Sequence, residues 1–152
     1  MSTFYKEFSV DPTSRELTDT SPAVAVVQHD ANVDGILFHI PASFDSVDLT
    51  DSGTKLQVFY KLPGDTTTYS RALTAYTAQD GMDTSYKYFA WDFTAAELLQ
   101  PGIIRFSLCI QDTGKSKDWN TTVSVLKISE TVSHDSAGAP TITIPAAAGL
   151  SF

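Results

Sequence analysis

Period-two alternation of apolar residues is the feature that most constrains the fold of this chain. It is clearest in "IIRFSLCIQ" at 103–111, and "GILFHIP" at 35–41 and "KLQVFYKL" at 55–62 show it too. In the first segment one side of an extended strand carries Ile104, Phe106, Leu108 and Ile110. Alternation of this kind is typical of strands that bury one face, so it predicts a protein built mainly from β-sheet.

Other segments supply further strands and one hairpin. "PGDTT" at 63–67 is a strong turn signal, because Pro fixes φ and Gly tolerates positive φ. It predicts that 68–76 pairs with 55–62 as a hairpin. Strands are also predicted at 23–28 and at 86–93, and the second of these carries Phe89, Trp91 and Phe93 on one face. A further strand is predicted at 119–128, with a bulge near Val125 and Leu126.

One short helix is predicted near 94–99. Thr94 and Glu97 have the spacing of a capping box, and Pro101-Gly102 ends the segment. With seven or eight short strands and little helix, the chain is predicted to be all-β, an antiparallel β-sandwich of Ig-like or jelly-roll-like type.

The chain divides into three predicted parts. Residues 1–22 are interpreted as an N-terminal arm or loop, 23–132 as the sandwich, and 133–152 as an apolar C-terminal arm. Within the first part, Phe4, Tyr5, Phe8 and Val10 form either a short strand or an arm, and 11–22 is predicted as a loop. The last part is small, apolar and nearly uncharged, so we expect it to pack on its own domain or on a neighbouring subunit. The residues predicted to form this assembly arm are Thr141, Ile142, Thr143, Ile144, Pro145, Leu150 and Phe152.

Composition limits the classes of partner. The 152 residues include 18 acidic and 10 basic side chains, for a net charge of −8. This balance argues against a nucleic-acid partner and against docking on an anionic membrane. With 42% hydrophobic residues the chain can fold without metal or disulfide. No secretory signal opens the sequence, so we expect synthesis and folding in the cytosol.

Residue types that carry chemistry are scattered. His29, His39 and His134 form no metal-ligand spacing, and Cys109 lies inside an alternating strand, where packing is the favoured role. Nucleophile-elbow and phosphate-loop motifs are missing from the sequence. No catalytic residue, cofactor or metal is therefore predicted. A calcium site built from separate Asp-rich loops, at 30–35 and 48–53, stays open as an alternative.

The aromatic residues allow two interpretations. Trp91 shares a face with Phe89 and Phe93 and is predicted to lie in the core. Trp119 stands where a loop enters a strand, and it either covers the core or forms an exposed platform. Packing is favoured for both tryptophans. If the protein binds a glycan, Trp119 and Tyr86 are the predicted contacts.

Three segments, at 25–65, 88–111 and 117–128, resemble in order and spacing a structural domain of virion proteins from phages of Gram-positive bacteria. That domain is found at the N-termini of upper-baseplate and related tail-tip proteins. The matching positions are His29, Asp30, Asn32, Val33, Phe38, Pro41, Asp48, Leu49, Trp91, Gly102, Phe106, Trp119, Asn120 and Thr121. Tail-type members usually continue into a stalk or receptor-binding region, whereas this chain ends in a small apolar tail.

The resemblance implies a non-enzymatic structural component of a phage virion. It would be a baseplate or tail adaptor, or a capsid-decorating protein, that contacts other virion proteins and copies of itself. The alternative is a carbohydrate-binding module that recognises host surface glycans. An enzyme such as a cell-wall hydrolase is a third and weaker hypothesis.

Overall fold

The structure is a computed structural model that describes residues 5–28, 35–44, 47–50, 53–79, 81–112 and 117–131. Within these ranges the chain is all β, which confirms the predicted fold class, and it contains no helix. The strands are β1 Tyr5–Val10, β2 Leu17–Asp19, β3 Val26–Val27, β4 Gly35–Pro41, β5 Ser43–Phe44, β6 Val47–Asp48, β7 Thr54–Lys61, β8 Tyr69–Ala72, β9 Thr74–Tyr76, β10 Tyr86–Asp92, β11 Gly102–Asp112, β12 Lys117–Asn120 and β13 Ser124–Ser129.

Two sheets make up the sandwich. Sheet A has the strand order β2-β1-β4-β10-β9. Sheet B has the order β3-β13-β11-β7-β8, and β12 pairs with β11. Strands β5 and β6 form a small separate ribbon. The prediction of a wholly antiparallel sandwich needs one correction, because β1 pairs with β4 and β3 pairs with β13 in parallel.

The N-terminal segment belongs to the sandwich. Of the two alternatives for the first ten residues, a short strand or an arm, the structure shows the strand β1, and the predicted loop at 11–22 contributes the short strand β2 to the same sheet A. Phe8 and Val10 are 2% and 4% exposed and lie in the main core. The reason is alternation: Phe8 and Val10 point inward from β1, and their burial stabilises the fold by roughly 1.5–3 kcal/mol for each side chain.

The core lies between the inner faces of the two sheets. Ile36, Phe38 and Ile40 face it from β4, which confirms the predicted face of that strand. Sheet B supplies the predicted inward residues of β7 and β11, among them Leu56, Val58, Tyr60, Ile104, Phe106, Leu108 and Ile110. The rings of Phe8 and Phe106 meet edge to face at 5.4 Å between centroids.

The predicted hairpin forms, but its second strand divides between the sheets. The amide of Asp65 donates to the carbonyl of Leu62 at 3.0 Å, and Gly64 has φ 73°, as position three of a type II turn requires. Strand β8 then pairs with β7. After Leu73 the chain crosses over, and β9 pairs with β10 in sheet A.

The helix predicted near 94–99 does not form. The segment makes two consecutive turns, with amide-to-carbonyl bonds from Leu98 to Ala95 at 3.2 Å and from Leu99 to Ala96 at 3.4 Å. Half of the capping box is present, since the Thr94 amide donates to Glu97 Oε1 at 2.6 Å. Because β11 begins directly after Pro101, the segment is too short to continue the i→i+4 ladder of an α-helix.

The predicted irregularity in the last strand is real, but it lies earlier. Strand β13 pairs with β11 without interruption from Ser124 to Ile128, so there is no bulge at 125–126. The register changes by one residue between β12 and β13, at 121–123. There the Thr121 hydroxyl accepts a hydrogen bond from the Leu108 amide at 2.9 Å, and its own amide donates to the Leu108 carbonyl at 3.0 Å.

The predicted C-terminal arm, at 133–152, lies outside the described residues. Among the residues that are described, no helix is long and apolar enough to cross a membrane.

Candidate functional site

The outer face of sheet A carries a cleft of about 400 Å³, which we call the tyrosine cleft. Four strands and the loop before β10 line it. The lining residues are Tyr5, Glu7, Leu37, His39, Tyr76, Met82, Asp83, Tyr86 and Tyr88. Most alternate with core residues along their strands, so the same period-two pattern that builds the core places them on the opposite face.

Strand register brings the cleft together. His39 on β4 stands opposite Tyr88 on β10, and Tyr88 stands opposite Tyr76 on β9. Leu37, Tyr88 and Ala90 form a small buried cluster beneath, at 5%, 8% and 3% exposure. The floor of the cleft is therefore apolar and fixed by sheet pairing.

The aromatic rings form two perpendicular pairs. Tyr5 and Tyr76 meet at 82° with centroids 5.8 Å apart, and His39 and Tyr86 meet at 86° with centroids 5.2 Å apart. Two phenols are anchored: Tyr88 donates to the Asp83 carbonyl at 3.0 Å, and Tyr5 donates to the Asp92 carboxylate. The walls are thus held at angles to each other and are not stacked in one plane.

The described lining of the cleft is electronegative. Glu7 and Asp83 bring two carboxylates, and no Lys or Arg is among the described lining residues. Hydrogen bonds from the Ser85 hydroxyl and amide lower the pKa of Asp83, which keeps it ionised. Burial lowers the pKa of His39, opposed by the charge of Glu7, so the imidazole is neutral at pH 7.

A second cleft of about 610 Å³ adjoins the first. The two share Tyr76, Tyr86 and Tyr88. The second cleft is otherwise lined by less aromatic residues such as Thr50, Ala75 and Lys87. The shared tyrosines make the tyrosine cleft one end of a longer surface depression.

The two residues predicted for glycan contact lie apart. Tyr86 lines the tyrosine cleft, half-buried. Trp119 is only 6% exposed and lies in the main core, edge to face with Phe44 at 4.9 Å. The Arg15 guanidinium covers its ring at 5.0 Å. Trp119 is therefore a packing residue, the favoured interpretation, and its buried ring cannot act as an exposed platform.

The predicted packing roles of Trp91 and Cys109 are confirmed. Trp91 is fully buried, and its ring contacts Tyr60 at 4.8 Å and Phe93 at 5.1 Å. Cys109 is 3% exposed. Burial raises the pKa of its thiol, and the nearby Asp118 carboxylate raises it further, so the reactive thiolate is disfavoured.

A buried polar cluster joins the turns after β10 to sheet B. Glu97 is 1% exposed, and its carboxylate accepts hydrogen bonds from Thr94, from the Tyr60 hydroxyl at 3.3 Å and from Arg71 Nη1 at 3.3 Å. Arg71 also donates to the Asp92 carbonyl at 3.0 Å. Burial, and then the Glu97 charge, raise the pKa of Tyr60. The polar groups of the cluster form hydrogen bonds with one another or with the backbone, which is the pattern of a structural cluster.

A second buried charge has a similar structural role. Lys6 is 6% exposed, and its ammonium pairs with Asp19 at 2.8 Å. It also donates to the carbonyls of Ser21 at 2.9 Å and Val24 at 2.7 Å. Neither buried charge was predicted from the sequence. The residues next to Lys6 in the sequence give no signal that its side chain is buried, because the partners of its ammonium lie later in the chain.

The described residues include no group of three or more His, Cys, Asp or Glu side chains placed to hold a metal ion. His29, His134, and most of the Asp-rich segment at 30–35 lie outside those residues, as do the predicted arm residues from 141 to 152.

The outer face of sheet B exposes three neighbouring aliphatic side chains, which we call the sheet B patch. Ile103, Val123 and Val125 are 43%, 59% and 51% exposed. Arg105 pairs with Val125 between β11 and β13, and Ile103 lies two residues along the same face. A groove of about 360 Å³ beside them is lined by Phe59, Arg105 and Val123 among others. The patch is a second candidate surface.

Neither a scan of protein-family models nor a search of curated proteins finds a match to this chain. The described positions that carry the resemblance to virion proteins have mostly structural roles. Phe38, Leu49, Trp91, Phe106 and Trp119 are buried in the main core. These residues determine how the chain folds, and none of them lines the tyrosine cleft. Leu49 lines the adjoining cleft, and Phe106 lines the groove beside the sheet B patch.

Proposed function

We propose that this chain is a non-enzymatic structural component of a phage virion. It is a baseplate or tail adaptor, or a capsid-decorating protein, made in the cytoplasm of the bacterial host and assembled into the particle. Its partners are copies of itself and other virion proteins. The resemblance of its core and turn residues to virion domains of Gram-positive phages supports the proposal.

The structural observation that carries the proposal is the sheet B patch. Of the five large hydrophobic side chains that are exposed in the described part of the chain, three lie together there. Exposed apolar residues that cluster mark contact surfaces, whereas singly scattered ones need no explanation. The face is also built on the long strand β11, whose pairing with β7 and β13 fixes it in place for contact with another folded subunit.

The experiment is incorporation of a patch variant into particles. Val125→Asp introduces a charge at a site that is 51% exposed, so the monomer should keep its fold. The matched control is Thr18→Asp, an exposed strand residue on β2 of sheet A. We expect purified particles to contain the control variant at the wild-type level and to have lost most of the Val125→Asp protein. Equal incorporation of both variants would remove the patch as the contact surface.

A second candidate function, recognition of a host surface glycan, is favoured by one observation. Tyr86 shares its cleft with three other tyrosines and two carboxylates, and aromatic faces with polar neighbours are typical of small-molecule sites. Tyr86→Ala would then weaken adsorption of the protein to host cell walls, and unchanged adsorption would count against it.

A further inference from the structure

We propose that the tyrosine cleft binds an organic ammonium ion, such as the quaternary ammonium group of a choline-like ligand. The inference does not depend on the virion assignment. It rests on the shape of the aromatic walls, on the charge of the lining and on the neutral state of His39, the one histidine in the described lining.

Aromatic walls at right angles fit a compact cation. Ring faces carry negative potential, and a cation within about 6 Å of several ring centroids is attracted by each of them. Tyr5 and Tyr76 meet at 82°, and His39 and Tyr86 at 86°, so each pair forms a corner. A rounded trialkylammonium head fills such a corner, whereas the flat ring of a sugar stacks best on one broad face.

The charges of the lining favour the same ligand. Glu7 on β1 and Asp83 in the loop before β10 face the cleft with negative charge. Its described lining contains no Lys or Arg side chain to compete for them. His39 is the only described lining group that could bring positive charge, and its burial favours the neutral imidazole.

The apolar floor of the cleft suits removal of water from the ligand. Tyr88 and Leu37 at its floor are 8% and 5% exposed, and the loop that carries Met82 covers one side. Cation–π attraction strengthens when the cation loses water, and alkyl groups on nitrogen make that loss less costly than for a bare ammonium. A methylated ammonium is therefore preferred over the lysine side chain.

The experiment compares choline with its neutral isostere 3,3-dimethylbutan-1-ol, which has the same shape without the charge. Binding of each to the full chain is followed by NMR titration at constant ionic strength. We expect choline to bind about tenfold or more tightly than the alcohol. Equal binding of the two, or no binding of choline, would overturn the inference.

Two variants locate the binding. Glu7→Gln keeps the size of an exposed side chain and removes its charge, so choline affinity should fall several-fold with no change in fold. Tyr76→Ala removes one wall and should weaken choline about tenfold. The control is Glu130→Gln, an exposed carboxylate after β13, which should leave affinity unchanged. If Glu7→Gln binds choline as the wild type does, the cleft is not the site.

A third arm uses a neutral monosaccharide. If the sugar shifts the NMR signals of the cleft tyrosines to a saturating end point and choline does not shift them, the inference is overturned and glycan recognition at the same surface is supported. Neither result bears on the incorporation of the sheet B patch variant, so the two proposals fail independently.

Discussion

Removing the partner of the buried Glu97 carboxylate tests the account of how the turns after β10 are held. Arg71→Met keeps most of the aliphatic length and removes the guanidinium that bonds Glu97, the Tyr60 hydroxyl and the Asp92 carbonyl. The carboxylate is 1% exposed and would be left without its cationic partner. Stranding a buried charge costs about 3–5 kcal/mol, and we expect the lower end because Arg71 itself is 31% exposed.

The measurement is urea unfolding followed by tryptophan fluorescence, since Trp91 and Trp119 are both buried in the native state. In a thermal unfolding experiment, the same loss of about 3 kcal/mol would lower Tm by roughly 6–12 °C for a chain of this length. Adding Glu97→Gln to Arg71→Met removes the stranded charge and should recover about 1–2 kcal/mol. The control Arg105→Met, at an exposed position on β11, should change stability by about 0.5 kcal/mol or less.

Two results would refute this reasoning. One is a loss of less than about 1 kcal/mol for Arg71→Met, which would mean that water reaches the carboxylate. The other is further destabilisation when Glu97→Gln is added, which would show that the carboxylate does not need the arginine.

Three further predictions concern single positions. In urea unfolding, Gly35→Ala should destabilise the protein at least twice as much as Gly64→Ala. A Cβ at Gly35 would lie 1.9 Å from the Trp91 carbonyl oxygen, whereas a Cβ at Gly64 meets open space and costs about 1 kcal/mol for positive φ alone. Equal losses of stability would contradict the close approach at Gly35. Burial beside Tyr86 and Tyr88 lowers the pKa of His39 from 6.5, and the negative charge of Glu7 opposes this shift. The contribution of His39 to stability is therefore complete above pH 6.5 and is lost as the pH falls from there towards the folded-state pKa. His39→Gln should flatten this part of the Tm profile, and an unchanged slope would contradict the assignment. Cys109, 3% exposed, should react with a thiol reagent only as fast as the protein opens, and fast reaction of the native protein would contradict its burial.

The strands that alternate regularly are the part of the fold that the sequence predicts well. Strand β4 matches its predicted bounds, and β7, β10 and β11 differ from theirs by one residue at one or both ends. Their alternation reports which face is buried, because one face must contact the other sheet. The hairpin of β7 and β8 was also predictable, since a Pro-Gly turn is a local signal.

Pairing between distant segments was not predictable in this way. Nothing local in β1 indicates that it will run parallel to β4, or that the segment after Leu73 will leave sheet B for sheet A. The capping box at Thr94 and Glu97 shows the opposite problem. Its hydrogen bond forms, but tertiary contacts of Glu97 and the early start of β11 override the helix that the motif predicts.

The candidate site was predicted only in part. Tyr86 was singled out for its aromatic ring, and it does line the tyrosine cleft. Its companion Tyr5 comes from a segment far away in the chain, whereas Tyr76 is close in sequence but reaches the cleft only through the sheet switch after β8. Trp119 was harder to place, because its position at the start of a strand is compatible with either exposure or burial. The edge-to-face contact of its ring with Phe44, on the short strand β5, is part of what buries Trp119.

The most direct test of the virion proposal is detection of the protein in particles. Under the proposal a phage encodes the chain, so purified virions of that phage would be analysed by quantitative mass spectrometry, and intact virions would be labelled with gold-conjugated antibody for negative-stain microscopy. We predict that the protein copurifies with particles and that gold marks either the tail tip or the head. Gold at the tail tip would define an adaptor, and gold over the head a decorating protein. Particles without detectable peptide from this chain would contradict the proposal.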